Sequence, residues 1–416
     1  MGNDTSGALV RGAPVVYRRR DDRNGMADFQ QQGPITTLHR LNPDRSQEAL
    51  TYFAQPNVGN GVALILPCLI SEFDGPALPE IVQQLSELDW LGRVIVGIDG
   101  ADSNSFETAQ TLFSQLPQPT TVVWNDSSGM KEFDRKIGIS PGTGKGRNLW
   151  RCVGVANGFT EIDTIVVHDA DISTYEASFV ARLAYPIVDE RLGFDFVKGF
   201  YPRFDEAGLN GRVTRLLVWP LLESLISLAP ENPRLRYLAS FRYPLAGEFA
   251  SRISVANSIA MPEHWGVDIA LLIAAQSLGV AVAQTDLTDR YDHKHQLLSA
   301  DDADLGLHHM ARDVISTLLS VAGLHEVDAD VFDESLQHAV SAHHANSISN
   351  GIPINEPEES AAVALFSKLV RETHSALPPE LPSWDQLRLE FPDCVQDLAS
   401  LVESHSTSPG ATRSSP

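Results

Sequence analysis

The sequence predicts an α/β fold built on a mostly parallel sheet, and three observations carry that reading. Short apolar runs alternate with longer amphipathic segments from residue 61 to residue 171, the rhythm of βαβ units. The stretch Asp163-Thr164-Ile165-Val166-Val167-His168-Asp169-Ala170-Asp171 is a β-branched run that ends in carboxylates. A strand buried on both faces reads this way, and ligands of open α/β sheets bind at the carboxyl ends of such strands. Two earlier apolar runs also end close to acids, Glu72 after the first and Asp99 at the tip of the second, so parallel strands would bring these carboxylates to one crevice.

Taken in order, residues 1–33 combine Gly, Asp and the cluster Arg18-Arg19-Arg20 without apolar periodicity, which predicts a disordered arm. Globular composition begins at Ile35. Strands are expected at Gly61–Leu66, Arg93–Ile98, Thr120–Trp124 and Ile165–Val167, with helices at Leu78–Leu88, Ser105–Leu116 and Gly146–Ala156 between them. Beyond Asp171 the rhythm turns α+β: a helix Ala177–Val188, a strand Phe194–Phe200, then a long apolar helix Gly211–Leu228 in which Pro220 should introduce a kink. Gly247-Glu248-Phe249 reads as the opening of a short helical or turn segment, followed by a helix Val267–Leu278 and a strand Val280–Asp286. From Ala303 to Val402 the pattern is helical, broken at Asn350-Gly351-Ile352-Pro353. The Ser/Pro/Gly-rich end from His405 to Pro416 predicts an unfolded tail. The regions are therefore 1–33, 34–210, 211–302, 303–404 and 405–416.

A chain of 416 residues with a net charge of -23 is a poor nucleic-acid binder, since affinity for phosphate backbones comes from clustered Lys and Arg. Cys68, Cys152 and Cys394 are scattered, which excludes a disulfide framework and a zinc ribbon and suits a reducing cytoplasm. No apolar run approaches the ~18 residues of a membrane span, and the first residues are polar rather than signal-like. A transferase acting on a lipid carrier would need a membrane-facing element that the sequence lacks.

Asp169 and Asp171 have the chemistry to share a hard cation such as Mg²⁺ or Mn²⁺ with phosphate oxygens. Pro141-Gly142-Thr143-Gly144-Lys145-Gly146-Arg147 is not a Walker loop, because no Ser or Thr follows the lysine. It still joins glycines, a cation and a helix start, which favour anions; the alternative is a flexible turn. Arg212 and Thr214 open an apolar helix where acids are ordinarily preferred, pointing to a bound carboxylate or phosphate, or else to an arginine paired with a surface acid. His293 and His295, two apart on an extended segment, face one way, as a ligand to a metal or as surface polar residues.

With Pro67, Asp99, Lys145, Asp169-Ala170-Asp171, Arg212-Val213-Thr214, Leu245-Ala246-Gly247-Glu248-Phe249 and Tyr291-Asp292-His293 in this order, residues 35 to 400 resemble the glucosyl-3-phosphoglycerate synthases and their mannosyl relatives. These are retaining glycosyltransferases of the GT-A fold. The resemblance implies a Rossmann-like nucleotide-sugar sheet, an α+β acceptor region and a helical C-terminal extension. It implies Asp171 and His293 as metal ligands for Mg²⁺ or Mn²⁺. Pro67, Cys68, Leu69, Glu72, Asp99, Lys145 and Asp169 become nucleotide contacts, and Leu245, Ala246, Gly247 and Glu248 line the sugar. Arg212, Val213, Thr214 and His295 fall at the acceptor site, with His295 standing where the family often has Asn. Asp171, Lys145 and Glu248 are the expected catalytic set, Glu248 holding sugar hydroxyls rather than attacking. The expected reaction moves glucose from UDP- or GDP-glucose to 3-phospho-D-glycerate, forming a compatible-solute precursor. Glucosylglycerate or mannosyl-3-phosphoglycerate synthesis, and a non-catalytic sugar-nucleotide sensor, are the alternatives. A cytoplasmic homodimer is expected, the helical segment after residue 303 serving as its interface or as a lid.

Overall fold

Continuous apolar runs become the strands of one sheet. The structure, a computed structural model, describes residues 35–41, 45–294, 296–302, 306–376 and 380–406. The arm expected at 1–33 and His295 lie outside the described residues, as does most of the expected tail.

The chain runs β1 (Thr36–Leu38), α1 (Arg45–Phe53), β2 (Val62–Leu69), α2 (Ala77–Leu85), β3 (Arg93–Asp99), α3 (Ser103–Phe113), β4 (Thr120–Trp124), α4 (Ser128–Lys136), α5 (Lys145–Ala156) and β5 (Thr164–Val167). It continues through α6 (Ser178–Val188), β6 (Phe196–Phe200), a wide-turned run Thr214–Val218, α7 (Trp219–Leu228), α8 (Pro233–Leu238), β7 (Phe249–Arg252), α9 (Ile253–Asn257), β8 (Met261–Pro262), α10 (Val267–Leu278) and β9 (Val282–Asp286). The C-terminal part is α11 (Gly306–Ala322), α12 (Ala329–Asn350), α13 (Glu356–Glu372), β10 (Glu380–Leu381), α14 (Trp384–Glu390) and α15 (Cys394–Ser406).

The main sheet has eight strands in the order β1-β9-β6-β7-β5-β2-β3-β4. Every neighbouring pair is parallel except those made by β7, which runs antiparallel to both β5 and β6. Both faces are covered, which is why the strands read as unbroken apolar runs. Ile65, Ile95 and Ile165 pack on one side with Leu149 and Val153 of α5. Leu64, Val96 and Val166 pack on the other with Ile81, Phe106 and Phe179.

The structure departs from the sequence reading in several places, one of them strand β10, which pairs with β8 inside the run expected to be helical from Ala303 to Val402. The helical or turn segment expected at Gly247-Glu248-Phe249 is a bend at Gly247 only: Phe249 already begins strand β7, held by pairing with both β5 and β6. The long helix read at Gly211–Leu228 is not uniform: Pro220 sits in the first turn of α7, and the turn before it widens so that the Trp219 N–H meets the Thr214 carbonyl. Helix α4 was hidden by its high polarity; it is fastened by Asp134, which is fully buried and accepts from Arg147 at 2.9 Å and Arg151 at 2.6 Å. The first two residues of the expected tail are helical instead, since α15 runs to Ser406 and His405 packs edge-on against Phe106 and Trp124. The C-terminal helices share the core: Trp384 stacks on Trp150 at 4.6 Å and donates its indole N–H to the Trp150 carbonyl at 2.9 Å. Any side chain at Gly154 would strike that ring, its Cβ lying 2.0 Å from Trp384.

Candidate active site

The carboxyl ends of β2, β3 and β5 lie side by side, as their parallel pairing requires. From the tip of β5 the chain presents His168, Asp169, Ala170 and Asp171. His168 is no catalyst: it is buried, its Nδ1 lies 2.8 Å from the Tyr175 hydroxyl, and burial pushes its pKa down to about 3. Asp169 and Asp171 emerge into the crevice with part of their surface open.

Lys145, the first residue of α5, places its Nζ 3.3 Å from Asp169 Oδ1 and 3.2 Å from Asp268 Oδ2. Asp268, in the first turn of α10, also lies 3.5 Å from Lys198 Nζ, a lysine buried in the middle of β6. Charges therefore alternate along Asp169, Lys145, Asp268 and Lys198. Burial alone would lower the Lys145 pKa, but Asp169, Asp268 and Glu248 overturn that and hold it above the ordinary lysine range. Lys198 is the reverse case: burial wins and its pKa is lowered. Burial would raise Asp169, yet Lys145 and His293 keep it below the usual carboxylate range.

The glycines around Lys145 serve close packing. A Cβ at Gly146 would lie 1.9 Å from the Pro262 carbonyl oxygen, and Gly144 has φ 142. The first amides of α5, at Gly146 and Arg147, donate to the Glu263 carbonyl at 3.1 and 3.3 Å. Two N–H groups of the expected helix-start cradle are therefore already taken, and the Lys145 ammonium reaches the carboxylates of Asp169 and Asp268.

His293 reaches the crevice by a short strand-like pairing. Ile172 and His293 bridge antiparallel, the Ser173 N–H meets the Asp292 carbonyl at 2.9 Å, and the Lys294 N–H meets that of Asp171 at 3.2 Å. The pairing sets His293 Nδ1 3.3 Å from Asp171 Oδ2. Lys294 then ties the segment to the loop after β2 by donating to Glu72 at 2.9 Å. A carboxylate and an imidazole converging on open space fit a Mn²⁺ or Mg²⁺ ion whose remaining ligands are diphosphate oxygens and water.

The antiparallel register pairs Val167 with Phe249, which brings Gly247 and Glu248 against the start of the Asp-x-Asp turn. A Cβ at Gly247 would fall 2.2 Å from Asp169 Oδ2, so only glycine fits. Leu245 is half-buried and Ala246 buried beside it. Glu248 is fully buried: Tyr201 donates to one oxygen at 2.5 Å and Tyr291 to the other at 2.7 Å, with the Asp169 N–H at 3.5 Å. Burial raises its pKa.

On the nucleotide side, Pro67 lies within β2, Cys68 is buried with its thiol raised by that burial, and Leu69 leaves 50% of its surface exposed as a platform. Asp99 closes β3, with Oδ1 lacking a hydrogen-bond partner and burial pushing its pKa up to about 6. Where the acceptor site was expected, Val213 and Thr214 are buried, while Arg212 meets Glu358 of α13 in an ion pair and donates to the Gln296 carbonyl at 3.1 Å. Arg215 meets Glu359 beside it, both contacts at 2.5 Å.

No protein-family model matches the sequence. Curated relatives do. The chain is 32% identical to the glucosyl-3-phosphoglycerate synthase of Persephonella marina over 403 residues, 91% of this chain and 98% of that one. It is also 32% identical to that of Methanococcoides burtonii, covering 90% and 99%. The chain belongs to the glucosyl-3-phosphoglycerate synthase family. A solved family member, the Mycobacterium tuberculosis synthase with Mn²⁺, UDP and glucosyl-3-phosphoglycerate, matches with 27% identity and TM-score 0.51, over 70% of this chain and 88% of that one. The same enzyme with Mn²⁺, UDP-glucose and phosphoglyceric acid matches with 28% identity and TM-score 0.50 over the same shares of the two chains. The GT-A reading of the sheet stands on these matches. Among the described residues, no helix is long and apolar enough to cross a membrane.

Sequence reasoning missed Asp268, Lys198 and Tyr201, which pack against the Asp169, Lys145 and Glu248 cluster. Lys198 alone carried a signal, a lysine inside the apolar run Phe196-Val197-Lys198-Gly199-Phe200, where burial demands a partner.

Proposed function

We propose that this chain transfers glucose with retention from UDP-glucose to the hydroxyl of 3-phospho-D-glycerate. The observation that carries the reading is the convergence of Asp169, Lys145, Asp171 and His293 at the tip of β5 in a chain of this family. The carboxylate of Asp171 and the imidazole of His293 would hold the divalent cation, whose charge eases departure of the diphosphate. Lys145, held cationic by its acids, adds a fixed positive charge at the same place.

The acceptor hydroxyl forms a bond to the anomeric carbon as the bond to the UDP β-phosphate oxygen breaks, and the hydroxyl proton passes to that departing oxygen. A protein nucleophile is not needed for this front-face route. Glu248 is ill placed to be one, since both its oxygens are occupied by phenols. We read it as the post that fixes Tyr201 and Tyr291 behind the sugar pocket of Leu245, Ala246 and Gly247. In this proposal residues 34–210 bind the nucleotide sugar, 211–302 complete the metal and acceptor sites, and 303–404 brace them; the protein works in the cytoplasm as a homodimer.

The test is a matrix of UDP-, GDP- and ADP-glucose against 3-phosphoglycerate and glycerate, with Mn²⁺, Mg²⁺ or EDTA, scored by anomeric NMR of the product. UDP-glucose with 3-phosphoglycerate and a metal should give an α-linked product at the highest rate. Full activity in EDTA, or a clear preference for glycerate, overturns the reading.

A further inference from the structure

Arg203 is a cation without a counter-ion at the edge of the acceptor region. Its Nε is buried with no hydrogen-bond partner. Among the described residues its one side-chain bond is a long one, 3.4 Å from Nη1 to the Tyr243 hydroxyl. Arg147, Arg151, Arg212, Arg215 and Arg252 each meet a carboxylate. Among the described residues, no carboxylate lies within the 4.0 Å ion-pair distance of Arg203. Leaving a guanidinium partly desolvated and unpaired is costly unless an anion arrives to meet it.

The backbone holds this arginine in place. Arg203 bridges Tyr291 in parallel register, the Tyr291 N–H meets the Pro202 carbonyl at 3.1 Å, and the Asn210 N–H meets the Arg203 carbonyl at 2.9 Å. It is thus fixed between the His293 segment and the turn that starts the Arg212 helix. Gly211 packs in the same corner: with φ 70, a Cβ there would lie 3.0 Å from the Tyr243 hydroxyl and 3.8 Å from Arg203 Cδ. The rings of Tyr201 and Tyr291, stacked at 3.6 Å, connect this corner to Glu248 and the Asp169 turn.

We infer that Arg203 holds the carboxylate of the acceptor, leaving Arg212 and the start of its helix for the phosphate. The inference rests on the function proposed above. 3-Phosphoglycerate has a single free hydroxyl, on C2, between the carboxylate carbon and the phosphorylated one. The carboxylate is the charged group nearer the reacting oxygen, and Arg203 is the arginine nearer the tyrosines that reach Asp169. Arg212 faces away, toward Glu358 on α13. A planar guanidinium and the Tyr243 hydroxyl suit a carboxylate with charge-assisted bonds.

The experiment compares binding of 3-phosphoglycerate and of glycerol 3-phosphate, which lacks the carboxylate, by calorimetry on the enzyme loaded with Mn²⁺ and UDP. Arg203→Ala should weaken 3-phosphoglycerate by about 10- to 100-fold while changing glycerol 3-phosphate less than about threefold, with UDP affinity kept and Arg203→Lys recovering part of the loss. Arg212→Ala should weaken both ligands. Equal loss of both ligands in Arg203→Ala, no loss of either, or loss of UDP binding overturns the assignment. If the alanine variant does not fold, Arg203→Lys and Arg203→Gln carry the same comparison. Wild-type enzyme that fails to bind 3-phosphoglycerate sinks the proposed function and this inference with it. Normal wild-type binding with an indifferent Arg203 variant sinks only the inference.

Discussion

Replacing Asp268 by Asn tests whether the alternating charges beneath the Asp-x-Asp turn act as a unit. Asp268 is the counter-ion that Lys198 and Lys145 share, at 3.5 and 3.2 Å, and the Lys198 side chain is only 1% exposed. Removing one partner of such a buried pair costs about 3–5 kcal/mol, because the other charge is left without solvent or partner. The ceiling is set by neutralising Lys198 instead, about 5 kcal/mol at pH 7 for an amine of ordinary pKa near 10.4. Burial already lowers the Lys198 pKa, and losing Asp268 lowers it further. The folded variant then binds fewer protons than the unfolded chain, so its stability rises with pH and its deficit should narrow between about pH 7 and 9. Urea denaturation at these pH values reads the effect, and Lys198→Met in the same chain should recover most of it by removing the stranded amine. A deficit below about 1 kcal/mol at pH 7, or one that neither narrows with pH nor responds to Lys198→Met, refutes the shared-charge argument.

Asp171→Asn and His293→Ala should each lower kcat by several orders of magnitude with the melting temperature nearly unchanged, measured with saturating Mn²⁺. Lys145→Ala should raise the KM for UDP-glucose more than that for 3-phosphoglycerate, as steady-state kinetics with each substrate varied will show. Asp99, with its pKa raised by burial to about 6, binds a proton in the folded state that the unfolded chain releases near pH 4. Stability should therefore fall from about pH 4 to 6, and Asp99→Asn should be the more stable protein above pH 6 by up to about 3 kcal/mol in urea titrations. Glu358→Gln should lower the KM for 3-phosphoglycerate by up to about fivefold, because the carboxylate competes for Arg212 through a half-exposed pair worth at most about 1 kcal/mol; Arg212→Ala should raise it by about one to two orders of magnitude.

The parallel half of the sheet was legible because its strands are covered on both faces, so that Val62–Leu69, Arg93–Asp99 and Thr164–Val167 carry polar side chains only at their ends. β7 was not. Its residues Phe249–Arg252 are few, end in Ser251 and Arg252, and acquire strand geometry only between β5 and β6, neighbours that local periodicity does not register. β1 is three residues long and owes its place to β9, far along the chain. In the site, Asp169, Asp171 and Lys145 were readable as acids on a strand tip and a cation among glycines. Asp268 was not, since an acid in the first turn of a helix is what the helix dipole favours in any case. Arg212 shows the limit from the other side: the sequence left it between a bound anion and a paired acid, and the acid it meets, Glu358, comes from a helix whose position no local pattern could supply.

These placements bear on why the reaction needs a cation at all. Around the turn after β5, Asp169, Asp171, Glu248 and Asp268 outnumber Lys145 and Lys198. Even with Glu248 neutralised by the burial that raises its pKa, the acids still exceed the lysines. A donor diphosphate adds more negative charge to a site already short of positive charge, and in a poorly solvated crevice that repulsion is expensive. Lys145 cannot offset it alone, because Asp169 and Asp268 already draw on its charge. A divalent ion between Asp171, His293 and the diphosphate would supply what is missing where the leaving group's charge grows. On the proposed function, the surplus of acid would make donor binding depend on the metal, and Lys145 and Lys198 would hold that acid cluster in place.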